Sequence, residues 1–167
     1  MSDLQVQILM GSGSDADVMR NTVRTLRELG VGCEMTVASA HRSPDRVRQV
    51  LAEAHERGVK VFVVGAGAAA HLAGVVAAHT ALPVIGVPID SSPLTGWDAL
   101  LATVQMPPGV PVATVSVGKA GAVNAAVLAA QILALSDERI AGALESYKTT
   151  LAAKVERAAA KVEGGGG

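Results

Sequence analysis

Residues 59–66 read VKVFVVGA, and after Lys60 no polar side chain interrupts the run. A strand with one wet face alternates apolar and polar residues, whereas a strand covered on both faces has no reason to. The valine-rich stretch is therefore read as an inner strand of a parallel sheet with helices on both sides. It runs directly into GAGAAAHLAG at 65–74, where the side chains become small and the strand gives way to a loop and an Ala-rich helix near 69–79.

The same alternation extends in both directions. Upstream, LQVQILM (4–10) and CEMTVAS (33–39) read as strands. Between them, residues 15–29 put Val18, Met19, Val23, Leu26 and Leu29 on one helical face, with Gly30 as a stop. PDRVRQVLAEAHERG (44–58) is a second helix ending at Gly58. Downstream come a short strand PVIGVP (83–88), a helical turn or two around 96–104, a strand VPVATVSV (110–117) and the helix KAGAVNAAVLAAQILAL (119–135). This βαβα pattern predicts an α/β fold: a three-layer parallel sheet in flavodoxin-like order. In the last segment, 137–163, Ile140, Leu144, Tyr147, Leu151, Val155 and Val162 form one stripe on a long charged helix. The helix is longer than a five-stranded core needs, so it is expected to pack on a neighbouring subunit. The chain thus divides into an α/β nucleotide-binding catalytic portion (1–135), a C-terminal helix (136–163) belonging to the same domain or to an oligomer contact, and a flexible Gly tail (164–167).

Bulk composition narrows the function. The 167 residues are 50% hydrophobic but only 2% aromatic, so the core must be built from Ala, Val, Leu and Ile. A formal net charge of -1 without a basic stripe argues against nucleic-acid binding. The lone Cys33 and four scattered histidines offer no metal-ligand spacing, and Cys33 reads as a small core residue. The N-terminus carries acid where a signal peptide carries base, and no run reaches the roughly 20 apolar residues of a membrane span. A cytoplasmic protein without membrane attachment is expected.

In an open parallel sheet, ligands bind beyond the carboxyl ends of the strands. GSGSDAD (11–17) follows the first strand there, and Asp15 and Asp17 would repel a phosphate at that helix start. Asp15 suits hydrogen bonds from sugar hydroxyls, with Ser12 and Ser14 adding polar contacts; the plainer role for Ser14 is a helix cap. SAHRSPD (39–45) is the better anion site. Ser43 at the N-cap and Pro44 at the first helical position start a helix beside the forked cation of Arg42 and the hydroxyl of Ser39. His41 then lies next to a phosphorylated ligand and suits proton transfer. In GAGAAAHLAG the small residues let a flat ligand approach the backbone, and His71 is either a polar handle or a structural histidine at a helix cap. His55 and His79 read as surface residues. GKAG (118–121) lacks the Ser or Thr of a P-loop, leaving Lys119 as added positive potential.

MGSGSD, SAHRSPD, GAGAAAHLAG, LPVIGVPI, VQMPPGVPVATVSVGKAGAVNAA and AAQIL, in that order over roughly residues 5–135, resemble the class I N5-carboxyaminoimidazole ribonucleotide mutases of bacterial purine synthesis. Class II relatives, which carboxylate aminoimidazole ribonucleotide directly, have Lys-Gly in place of Arg42-Ser43. Ala68, Ala73 and Pro108 stand where family members often have Gly, Pro and Arg. The resemblance implies an isomerase that moves a carboxyl group from the exocyclic nitrogen to C4, with His41 as general acid/base. It further implies Arg42 and Ser39 on the 5′-phosphate, Ser12 and Asp15 on the ribose, no cofactor or metal, and a homo-octamer with active sites between subunits. The competing readings are a class II carboxylase and a non-catalytic flavodoxin-like nucleotide-binding module; the shortage of aromatic residues to stack a flavin counts against the second.

Overall fold

The computed structural model describes residues 4–164. Of the Gly tail, residues 165–167 lie outside the described residues. Five parallel strands, β1 (Leu4–Met10), β2 (Gly32–Val37), β3 (Val61–Gly67), β4 (Val84–Ile89) and β5 (Ala113–Thr114), lie in the order β2-β1-β3-β4-β5. This is the flavodoxin-like order. The helices are α1 (Ala16–Glu28), α2 (Pro44–Glu56), α3 (Leu72–Ala78), α4 (Trp97–Val104), α5 (Gly118–Ala134) and α6 (Glu138–Gly164), with a single 3-10 turn at Gly13–Asp15.

The uninterrupted valines of β3 are explained by where they point. Val61 and Val63 join Val6, Ile8 and Ile85 in a core under α1, α5 and the start of α6. Phe62 and Val64 join Leu9, Val47, Leu51 and Val76 under α2, α3 and α4. Both faces are dry, and all of these residues are essentially inaccessible to water. Burial of that kind contributes about 1.5–3 kcal/mol per large apolar side chain. Thr22 ties the first layer together by donating its hydroxyl to the Ala122 carbonyl at 2.8 Å.

Three local expectations are corrected. The strand expected over 110–117 shrinks to two paired residues, Ala113 and Thr114. It is an edge strand, and Pro111 has no N–H to give a ladder. The helix expected from 69 starts at Leu72, because Ala68 adopts φ +48° and the amides of Ala70 and His71 turn back onto the carbonyls of Ala68 and Ala69. Ser14 does not cap a helix; Ser12 caps the 3-10 turn and accepts from the Ser14 amide at 3.3 Å. Helix α6 begins on its own domain, with Ile140 and Leu144 buried against the α1/α5 core.

Gly121 lets α5 close tightly on the segment that joins it to β5. A Cβ there would stand 1.6 Å from the backbone oxygen of Ser116. Gly121→Ala must push the helix off the β5 connection and is expected to cost about 2–3 kcal/mol, as overpacking of a closed core does. Urea denaturation measures it; an unchanged midpoint would contradict the close approach.

Candidate active site

The loops following β1, β2, β3 and β4 meet at the carboxyl edge of the sheet around a cavity of about 160 Å³. Its lining includes Ser12, Ser14, Asp15, Ser39, His41 and Arg42, brought together from two loops that are more than twenty residues apart. Gly67, Ala69 and Leu72 form the β3 side, and Ser91 closes the β4 side. The loop after β5 is not part of this wall, and Lys119 is not among the lining residues.

Each loop is held by local hydrogen bonds. Ser43 occupies the N-cap of α2 with Pro44 behind it, as expected, but makes no side-chain cap bond. Its hydroxyl instead accepts from the Ser39 amide at 3.0 Å and donates to the Ser39 carbonyl at 3.3 Å. The first amides of α2 therefore receive no acceptor from their N-cap. The Ser39 hydroxyl accepts from the Arg42 amide at 3.2 Å, and one arm of the Arg42 guanidinium donates to the Gly11 carbonyl at 3.2 Å. The cation is thereby held over the β1 loop, with its remaining donors unassigned among the described residues.

On the β1 side, the Ser14 hydroxyl donates to Ser12 Oγ at 2.9 Å and lies 3.4 Å from Asp15 Oδ1. Asp15 is almost wholly buried. Burial pushes its carboxyl above the ordinary value, against hydrogen bonds from the Ser14 side chain and the Ser12 backbone that pull it down.

The two histidines meet. His41 Nε2 and His71 Nδ1 are 2.9 Å apart, with ring centroids at 4.9 Å and planes at 81°. One nitrogen donates and the other accepts, so the tautomers of the two rings are linked. His71 stands at the N-cap of α3 without a side-chain cap bond, which removes the capping alternative and leaves it as a polar group attached to the site through His41. His55 and His79 bond elsewhere, to Thr80 and to the Val75 carbonyl.

Ser91 was not among the residues expected at the site. The rule that placed the other loops there applies equally to the loop after β4, and its Ser91-Ser92 pair was the available signal. Its position is tight: a Cβ on Gly67 would stand 1.8 Å from Ser91 Oγ.

With this geometry in place, comparison with known proteins is informative. A profile of the AIR carboxylase family matches residues 5–154. The chain belongs to the AIR carboxylase family. A Bacillus subtilis (strain 168) protein named N5-carboxyaminoimidazole ribonucleotide mutase is 56% identical over 143 residues, covering 86% of this chain and 88% of that relative. A Pyrococcus horikoshii protein of the same name is 49% identical over 158 residues, covering 95% and 88%. The crystal structure of Treponema denticola PurE superposes with a TM-score of 0.84 at 29% identity, covering 95% of this chain and 97% of that one. Every loop of the cavity falls inside the span that the family profile matches.

The raised carboxyl of Asp15 has a consequence for stability. The folded chain binds that proton more tightly than the unfolded chain, so the associated stabilisation is present below the unfolded pKa and lost as pH rises through the folded one. Asp15→Asn removes the penalty of a buried charge. Thermal melts are expected to show the variant more stable than the parent at neutral pH, with the difference closing toward about pH 3. A parent more stable than the variant at neutral pH would contradict this.

Proposed function

We propose that this chain is an N5-carboxyaminoimidazole ribonucleotide mutase acting in purine (IMP) synthesis. The observation that carries the reading is the meeting of His41 and Arg42 with the GSGSD loop in one cleft, in a chain about half identical to proteins of that name. In this reading Arg42, Ser39 and the open amides of α2 take the 5′-phosphate. Ser12, Ser14 and Asp15 take the ribose hydroxyls, since a phosphate beside a carboxylate is disfavoured. The small side chain of Ala69 leaves room for the flat ring, while the space beside Gly67 is taken by Ser91 Oγ.

The reaction conserves its atoms. The carbamate C–N bond breaks, its electron pair stays on nitrogen, and that nitrogen gains a proton. The carbon dioxide released is attacked by the electron-rich C4 of the aminoimidazole, and C4 then loses its own proton. One proton is given and one is taken, so a single imidazole can perform both transfers, and His41 is assigned that role. His71 holds the His41 ring and sets its tautomer. Confinement of carbon dioxide beside C4 supplies proximity that bulk water cannot. The ring's own electron density drives the capture, and the scheme calls for no cofactor or metal.

The finer features belong to the same reading: a cytoplasmic homo-octamer with sites between subunits. In support, no helix among the described residues is long and apolar enough to cross a membrane. The cavity of about 160 Å³ is smaller than the roughly 300–1,000 Å³ of small-molecule sites, as expected if a neighbouring subunit completes the wall. Leu94, Trp97, Leu101 and Val104 also form an exposed apolar row on and just before α4.

His41→Asn is expected to lower kcat by about 10²- to 10⁴-fold with little change in affinity for the product nucleotide. His71→Asn is expected to lower kcat less. A paired assay separates mutase from carboxylase: the N5-carboxy compound in one arm, aminoimidazole ribonucleotide with bicarbonate and no ATP in the other. Faster turnover in the first arm is expected. Faster turnover in the second would make the chain a carboxylase, and full activity in His41→Asn would remove that residue from the chemistry.

A further inference from the structure

Two serines stand side by side in the loop after β4, and their hydroxyls are used differently. The Ser92 hydroxyl donates to Asp98 Oδ2 at 2.7 Å and accepts from the Leu94 amide at 3.1 Å. Asp98 lies in the first turn of α4, and the Ser92 hydroxyl holds its carboxyl below the usual carboxylate range. Ser92 therefore moors the loop to α4. The neighbouring Ser91 amide turns back onto the Ile89 carbonyl at 3.0 Å, which fixes the backbone that carries its side chain. Its hydroxyl lines the cavity and has no hydrogen-bond partner among the described residues.

Gly67 is what admits Ser91 to the wall. A Cβ at position 67 would stand 1.8 Å from Ser91 Oγ and 2.9 Å from Ser91 Cβ, so any other residue at the end of β3 would drive the hydroxyl from its place. A side chain seated in such a notch has less freedom to lose when a ligand arrives.

Strand order decides which part of a ligand this hydroxyl meets. Along the carboxyl edge the strands run β2, β1, β3, β4, and with a spacing of about 4.8 Å the last lies about 14 Å from the first. Arg42 and Ser39 stand at the β2 end, Ser12 and Asp15 over β1, and Ser91 at the far end. A nucleotide with its phosphate over β2 and its ribose over β1 carries its heterocycle toward β3 and β4. The lining there is Ala66, Gly67, Ala69 and Leu72, and the amides of Ala70 and His71 are already spent on the turn at Ala68. Ser91 is the one lining residue from β3 and β4 with a hydrogen-bonding side chain. A carboxylate brought to so apolar an end without a donor is costly.

We propose that the Ser91 hydroxyl donates a hydrogen bond to the migrating carboxyl group and holds it beside C4 while His41 handles the proton. Ser91 keeps its own proton throughout. The inference rests on the mutase reading above and adds to it a residue that touches the substrate. The exocyclic amine and the ring nitrogens are the competing contacts, and a nucleotide without the carboxyl group still carries both.

Calorimetric titration of the full chain with 4-carboxy-5-aminoimidazole ribonucleotide and with aminoimidazole ribonucleotide therefore tests it. Ser91→Ala removes the donor, and Ser91→Cys keeps the shape with a weak one. Each variant is expected to weaken the carboxylated nucleotide by about 10- to 100-fold, as loss of a hydrogen bond to a charged group does, and the other by less than about twofold. Equal weakening of both nucleotides would place the contact on the ring or the loop's shape, and no weakening of either would leave Ser91 without a contact. Either result overturns the proposal while the mutase reading stands. A parent chain that binds neither nucleotide would end both.

Discussion

A parallel strand can be followed by another in the same sheet only if the chain returns to the starting edge, and here a helix or a helix-containing loop makes each return. That constraint gathers the carboxyl end of every strand on one side of the molecule. It is why Asp15, His41, Gly67 and Ser91, far apart in the chain, face one cavity. It also explains the composition. The returning helices leave neither face of β1 or β3 to water, so these strands carry apolar residues almost throughout. The exceptions are two glutamines of β1: Gln5, half-buried near the start of the strand, and Gln7, which is buried and donates to the carbonyls of Ile8 and Glu34.

Chemistry is thus confined to loops while the sheet carries the stability. The loops add their own rigidity through short-range bonds, Ser39 with Ser43 and Ser12 with Ser14, and through one bond between loops, Arg42 with Gly11. A ligand arriving at such an edge meets donors already oriented, which reduces the ordering cost of binding. Ala68 is a counter-example in the same neighbourhood. At φ +48° a non-glycine residue sits in the left-handed region, at a cost of roughly 1–2 kcal/mol. The tight turn it makes sets where α3 begins and hence where His71 stands.

What could be read in the sequence, and what could not, follows from the range of the forces involved. Apolar runs and helical stripes report burial, so β1, β3, β4 and α5 were legible to within about two residues. The shortness of β5 was not, because VPVATVSV has strand composition throughout; pairing on one side only and Pro111 decide it, and an edge is a tertiary fact. The loops after β1, β2 and β3 were legible because topology fixes their position whatever their conformation, whereas the β4 loop carrying Ser91 was passed over although the same rule covers it. Their hydrogen bonds were not: Ser43 has the composition of a cap yet spends its hydroxyl on Ser39, and His71 meets His41 only because a strained turn brings it there.

Charge placement has one further effect on the proposed site. Asp15 and Arg42 line the same small cavity with opposite formal charges. A nucleotide has a dianionic end and a hydroxyl-rich middle, and only one way round avoids setting phosphate against carboxylate. At contact distance with an effective dielectric near 20, reversing the ligand would trade attraction for repulsion of several kcal/mol on the order of magnitude. In the proposed reading the buried acid would therefore act partly by exclusion. Its raised proton affinity is the physical consequence of a carboxyl group held out of water. In the proposed mutase reading, orientation by that pair would bring the heterocycle, and not the sugar, beside the imidazole of His41.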